Sequence, residues 1–459
     1  MTGPPRTDRA PNRLLEQLLN TAAISRKALA QRVNTLSAQA GTPRSYTHTH
    51  VTHWIRGKHP RPPAPLLIAA VLAEHLGRPV TPEEIGMGAP DPDGAALGLE
   101  FPRDPDDALA YAARYWSSVE RRTLLATPFA ISAYTSPTVR WLANPADPAP
   151  GRHGGGRRVG RADVEQLWTA ADRARQADAR YGGGGNPSTA VLDCLKHAMP
   201  LLHGTYTAET GRDLFAATAE LARIAGWSAV DRGEHATGQR HLIQALRLAR
   251  AGGDVDAGSY VLSTMALQSF LRGHLTEAAD MADAACERAR HGGAPRVLAF
   301  AKMASAHAHG RAGDARAASA AIATAENLLD TIHPHTRDPS WLAYLDANRI
   351  ASDASEIFRD LGQPRAALRW SRRAAPMPAR TRTRSVGLRT AVEATAHLQL
   401  RDLDHGLASA DRALTILSGV RSARARDYLR DVTGALRPWT REPQVADFLH
   451  RAGGALART

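Results

Sequence analysis

The sequence predicts an all-α chain of two or three domains. Three observations carry that prediction: few aromatic residues, a run of short amphipathic helices at the N-terminus, and an internal repeat across the C-terminal half. Aromatics make up 5% of the 459 residues, too few for the large side chains that two packed sheets place between them. The abundant alanine instead suits close helix contacts. A chain of this length divides into more than one core.

Composition also bounds function. The formal net charge of +13 favours an acidic partner such as nucleic acid. Arginine is spread along the chain, so its distribution says more than the total: from Met1 to Pro62 ten Arg or Lys stand against two acids, Asp8 and Glu16. Cys194 and Cys286 have no partner nearby in sequence, which excludes a disulfide framework and a cysteine-rich zinc site. No apolar run approaches the roughly 20 residues of a membrane span, and the N-terminus lacks the apolar core of a signal peptide. The expected location is the cytoplasm, with no membrane partner.

Residues 12–76 read as four short helices. Leu14, Leu15, Leu18 and Leu19 form a stripe at helical spacing. Ser25 is a good N-cap for a second helix with Ala28, Leu29 and Val33 facing inward. A third helix covers THTHVTHWI and stops at Gly57, and LLIAAVLAEHLG forms the fourth. The run Leu29-Ala30-Gln31-Arg32-Val33, then Val51, Trp54, Gly57 and Lys58, then Leu66 to Leu76, resembles the helix-turn-helix of the Cro and lambda-repressor family. That resemblance implies a lambda-repressor-like DNA-binding head over residues 1–76, with Val51 and Trp54 on the core side of a recognition helix. Thr47, His48, Thr49, Thr52 and His53 would read bases in the major groove, and Arg26, Arg56, Lys58 and Arg61 would sit near phosphates. Between Val33 and Thr47 lie about eight residues more than the family's tight turn holds. Either the second helix runs on to Ala40 and stops at Gly41, or the turn is a loop carrying Arg44 and Tyr46 towards the DNA backbone. His48, His50 and His53 are no metal site: on a helix His48 and His50 diverge by about 200°, and His50 with His53 lacks a third ligand.

Residues 77–104, rich in Pro, Gly and acid, read as a linker, and 105–210 as an all-helical middle region. Its helices are expected at Asp106 to Leu125, Arg161 to Arg180 and Ser188 to His203, with YGGGGNP between the last two as a hinge rather than a phosphate loop.

From Asp213 onward a repeat emerges when the chain is aligned on Gly233, Gly273, Gly313, Gly362 and Arg401. Twelve residues later stand Ala245, Ala285, Ala325, Ala374 and Ala413; five later, Gly238, Ala278, Ala318, Ala367 and Gly406. Seven before stand Gly226, Ala266, Ala306, Ser355 and Ala394. Three small-residue columns suit two antiparallel helices that cross closely. The pattern resembles the tetratricopeptide (TPR) repeat, with turn-to-turn intervals of 40, 40, 49 and 39 residues. It implies a TPR-like α-solenoid over 211–459, closed by helices within 421–456. The family's concave positions map to Arg223, Trp227, Tyr260, Phe270, Phe300, His307, Arg311 and Arg349, together with Glu220, Met303 and Arg359, a lining able to hold a peptide or an acidic small molecule.

Head, middle and array in this order resemble a group of actinobacterial regulators of development and secondary metabolism, to which VGRADVEQL and VRSARARDYL add loose support. The resemblance implies a sequence-specific transcription regulator. Its expected partners are double-stranded DNA, a second copy of the chain and a peptide, small-molecule or protein effector. A TPR scaffold with an auxiliary DNA-binding head is the alternative. No nucleophile elbow, metal triad, phosphate loop or paired carboxylates point to catalysis, and no cofactor is expected.

Overall fold

The computed structural model describes residues 11–39, 44–58, 60, 63–78, 80–82, 84–87, 96–118, 128–148, 156–181, 187–374 and 382–458. The chain is all-α: every regular element among these residues is helical, and one isolated bridge joins Arg158 to Thr205.

The head comprises α1 (Arg13–Thr21), α2 (Arg26–Gln39), α3 (His48–Ile55) and α4 (Ala64–Leu76). Asn12 starts α1 by accepting the Leu15 N–H at 3.1 Å, and the Ser25 hydroxyl caps α2 through the Ala28 N–H at 3.1 Å. Leu15, Leu19, Leu29, Ala30, Val33, Val51, Trp54, Ile68 and Leu72 meet in one core. Leu14, expected in the same stripe, is 50% exposed. The stretch expected as a linker begins inside this core: Val80, Ile85 and Met87 are buried in it, and the Asn12 amide donates to the Ile85 carbonyl at 2.6 Å.

The same stretch ends inside a second core. Leu97 and Phe101 join a continuous cluster that runs through α5 (Pro105–Ser118), α6 (Thr135–Ala143), α7 (Arg161–Tyr181) and α8 (Pro187–Leu202) into the repeats. The middle region is therefore the front of the array. The glycine run at 182–185 lies outside the described residues.

Five helix pairs follow: α9 (Ala208–Arg232) with α10 (His235–Ala251), α11 (Val255–Leu271) with α12 (Leu275–Gly292), α13 (Pro295–Arg311) with α14 (Ala315–Asp330), α15 (Ala347–Asp360) with α16 (Pro364–Arg373), and α17 (Thr383–Gln399) with α18 (Leu403–Leu417). All five alignment residues have positive φ, from +63° at Arg401 to +86° at Gly313, the left-handed geometry that ends a helix before an antiparallel return. All fifteen small-residue positions are buried. The reason is visible in the first pair, where a Cβ on Gly238 would lie 2.9 Å from the Gly226 carbonyl oxygen. Helices α19 (Ala423–Ala435) and α20 (Pro443–Arg458) close the array over Leu429, Val432, Val445 and Phe448.

Two features fill the solenoid. Its long 49-residue interval carries a segment between α14 and α15 with a short 3-10 turn, Ser340–Leu342, whose Leu342 and Leu345 are buried against α13. The superhelix also winds until its end meets its start. On α17, Arg384 reaches Asp178 of α7 at 2.7 Å and Asp231 of α9 at 2.8 Å, and Ser422 donates to Asp231 at 2.9 Å.

Candidate nucleic-acid interface

On α3, an eight-residue helix, Val51, Trp54 and Ile55 are buried while His48, Thr49, His53 and Arg56 lie exposed along the opposite side. Spacing of one, four, five and eight residues puts these four on one helical face. Lys58, also exposed, follows the left-handed Gly57 at φ +90°. Behind this face, Ala30 of α2 is 2% exposed, small enough to let the two helices approach.

The extra residues between α2 and α3 are divided in two. Helix α2 runs on to Gln39, residues 40–43 lie outside the described residues, and 44–47 return along α2. Asn34 holds that return by donating to the Tyr46 carbonyl at 2.8 Å and accepting the Tyr46 N–H at 2.7 Å. The Tyr46 ring stands edge-on to Trp54, with centroids 5.2 Å apart. Tyr46 thus belongs to the support of α3, and Arg44 is exposed.

Two of the five expected base readers are engaged within the head. Thr47 is the N-cap of α3: its N–H donates to His50 Nδ1 at 3.1 Å, and its hydroxyl lies 3.0 Å from the same nitrogen. A backbone N–H can only donate, so Nδ1 accepts and His50 acts as the return arm of a capping box. The Thr52 hydroxyl donates to the His48 carbonyl at 3.0 Å and receives Arg26 at 3.4 Å. Arg26 also pairs with Glu16 at 3.7 Å, both about half exposed, a contact worth little in water. His48, Thr49 and His53 remain as the outward polar set, with Arg56 and Lys58 as cations at its end. Arg61 lies outside the described residues. Asn34, through Tyr46, and Asn12, whose N–H donates to the Ile55 carbonyl at 2.7 Å, position this face. Sequence spacing held no signal for them, because each acts across a loop or between helices.

Much of the expected effector groove is taken up by the chain's own contacts, while Arg311 and Arg349 stay partly exposed. Arg223 pairs with Glu220 at 2.7 Å and lies over the Tyr260 ring at 4.5 Å. Burial alone would lower the Arg223 guanidinium, and Glu220 together with Tyr260 and Tyr344 more than reverses this, so the arginine stays charged. Tyr260, 1% exposed, stacks on Trp341 of the inserted segment with centroids 4.9 Å apart and shares a 2.8 Å hydroxyl contact with Tyr344. Phe300 packs edge-on against it. Phe270 is covered by Arg311, which pairs with Asp360 at 2.8 Å, and His307 leans on Phe270. Arg349 is held by Asp353, whose charge raises it further. Trp227 faces Arg424 of α19, and Arg359 lies over Tyr428. Beside Tyr260 and Trp341 about 10 Å³ remains, room for one water at most. A larger opening, about 680 Å³, lies between Leu99–Pro102, α5 and α6, lined by Tyr111, Arg114 and Arg140 among others.

The opposite side of the first pair is a peptide clamp already filled. On α10, Arg240 donates to the Leu97 carbonyl at 2.9 Å, Gln244 to Gly98 and Glu100 at 3.0 Å each, and Arg247 to Pro102 at 2.7 Å. Residues 240, 244 and 247 share one helical face, so an extended stretch of the chain's own backbone is gripped along it.

The comparisons with known proteins reach the head alone. No curated protein and no solved structure matches the chain. Residues 15–88 match the family model described as the SP15 N-terminal domain, and that range spans the helices and the Val80–Met87 segment that share the head core.

Proposed function

We propose that the protein is a sequence-specific DNA-binding transcription regulator, acting in the cytoplasm as a homodimer joined through its solenoid. The observation that carries this reading is the α3 face: exposed His48, Thr49 and His53, backed by buried Val51 and Trp54, with Arg56 and Lys58 beyond its end. Imidazoles and a small hydroxyl can donate to or accept from base edges, and the two cations suit phosphates. The excess of cations in residues 1–62 adds the field that brings a duplex to this face. A repressor-type head reads two half-sites as a dimer, and the array offers the larger surface for pairing.

The test is selection of bound fragments from genomic DNA with the full chain, followed by affinity measured against salt. Affinity for the selected site should fall steeply as salt rises. Lys58→Ala should weaken all sequences alike and reduce the salt slope by about 1, whereas Thr49→Ala or His53→Ala should cost ~1–3 kcal/mol at particular base pairs. No enrichment of any fragment, or binding indifferent to salt, would overturn the proposal. A chain that stays monomeric in sedimentation, free and on DNA, would remove the dimer from it.

A further inference from the structure

The geometry points to a transition-metal site of the Zn²⁺ class at the turn between α17 and α18, built by His397, Asp402 and His405. Their ligand atoms all lie within 4.8 Å of one another. His397 Nδ1 is 3.1 Å from Asp402 Oδ2, and His405 Nδ1 is 3.0 Å from Asp402 Oδ1. A tetrahedral ion with bonds of about 2.0–2.1 Å has ligand-to-ligand edges of about 3.4 Å. The two nitrogens face different oxygens of the Asp402 carboxylate, so an ion held by one oxygen needs that N···O edge to open slightly and the other imidazole to turn towards it. His405, whose side chain is 74% exposed, supplies that movement by rotation at the surface.

The backbone sets these three groups in place before any ion arrives. Arg401 takes φ +63° where the other units have glycine, and the Asp402 N–H donates to the His397 carbonyl at 3.0 Å, which ends α17 and fixes the two residues together. The Asp402 carboxylate then accepts the His405 N–H at 3.3 Å and begins α18. The imidazole rings lie nearly parallel, 21° apart, with centroids 5.3 Å apart. Two nitrogens and one carboxylate suit Zn²⁺, Ni²⁺ or Cu²⁺ and are a poor set for Ca²⁺ or Mg²⁺, which prefer oxygen. Three ligands leave a fourth position for water or an exogenous group.

A helix cap explains Asp402 alone and does not call for two histidines. The repeat supplies the comparison. In the third unit His309 and Asp314 occupy the corresponding positions, and the backbone bonds recur: the Asp314 N–H donates to the His309 carbonyl at 2.9 Å, and the Ala317 N–H to Asp314 at 2.9 Å. Alanine stands where His405 stands, so that unit has the cap without the third ligand. The first, second and fourth units have Ala229, Ser269 and Phe358 in place of His397.

The experiment uses the full chain, stripped with chelator and titrated with Co²⁺, read by visible d–d absorption and then by displacement with Zn²⁺. One equivalent is expected at this site. His405→Ala and His397→Ala should each weaken it by about tenfold or more. Because His405 is exposed, its variants should keep the fold, checked by circular dichroism, and His405→Gln serves as a second one. Ala317→His should add a second equivalent by completing the third-unit turn. No uptake by the parent chain, uptake unchanged in His405→Ala, or no second equivalent in Ala317→His would each overturn the assignment.

Discussion

Arg384 joins the last repeat to the first, and its removal gives the sharpest test of how the solenoid is held. Its guanidinium contacts Asp178 at 2.7 Å and Asp231 at 2.8 Å, and the fully buried Asp231 also accepts from Ser422. Arg384→Ala takes away the cation that faces the Asp231 carboxylate, which lies away from water. Breaking a buried pair from one side costs about 3–5 kcal/mol, far above the ~0–1 kcal/mol of a surface pair. Arg384→Lys keeps the charge and loses the fork that reaches two carboxylates at once, so an intermediate loss is expected. Arg384→Met combined with Asp231→Asn removes both charges and should recover most of the stability. The assay is urea unfolding of the full chain, with hydrogen exchange to locate the change in α7, α9 and α17. A loss below about 1 kcal/mol for Arg384→Ala, or exchange unchanged in those helices, would refute the claim that this pair holds the ends together.

Three further outcomes are expected. Asn34→Ala should lower stability by ~1–2 kcal/mol through its two lost bonds to Tyr46 and weaken DNA binding by freeing the start of α3; thermal melts and affinity measurements should move together. Gly238→Ala puts a Cβ 2.9 Å from the Gly226 carbonyl oxygen and should cost about 1–3 kcal/mol in a melt, whereas an alanine at the open, positive-φ Gly273 should cost only the backbone strain. Burial, then the Asp254 carboxylate, pushes Asp256 up to about 6 from the ordinary 3.8. The folded chain keeps this proton after the unfolded chain has lost it, so the cost of ionising it grows between about pH 4 and 6 and is full above. Asp256→Asn should then stabilise the protein at pH 7 by ~1–3 kcal/mol and do nothing below about pH 4. A gain equal at both pH values would contradict that account.

The solenoid was legible because its signal is local and periodic. A left-handed turn residue and three small-residue columns recur in every unit, and the structure puts positive φ and burial at those positions. The α3 face was legible for the same reason, since Val51 and Trp54 fix which side faces inward. What sequence did not show depends on contacts between distant residues. Arg223, Arg311 and Arg349 look like an open lining when each unit is read alone, and the structure pairs them with Glu220, Asp360 and Asp353, while the inserted Trp341 covers Tyr260 and α19 brings Arg424 over Trp227. The stretch 77–104 has linker composition, yet its ends are tied down by Asn12 at one side and by Arg240, Gln244 and Arg247 at the other.

That tethering sets where regulation can enter. Among the described residues Met87 is the last buried in the head core and Leu97 the first in the array core, and nine residues, 88–96, lie between them in sequence. On the array side, that span begins at carbonyls gripped by α10, and α10 itself carries Gln239, which holds the Ala130 backbone, and Arg250, which pairs with Asp147 at 2.8 Å. A shift of α10 against α9 would carry Leu97–Arg103 with it, because three side chains of α10 tie five carbonyls of that stretch. The 680 Å³ opening lies against that same piece, at Leu99–Pro102. A ligand there changes DNA affinity only if it binds two positions of this segment unequally, and DNA would then alter ligand affinity by the same factor. Gln244→Ala, which frees two of the gripped carbonyls, should therefore alter the DNA affinity of the full chain. Equal affinities in parent and Gln244→Ala full chains would show that the clamp holds the fold together without carrying a signal to the head.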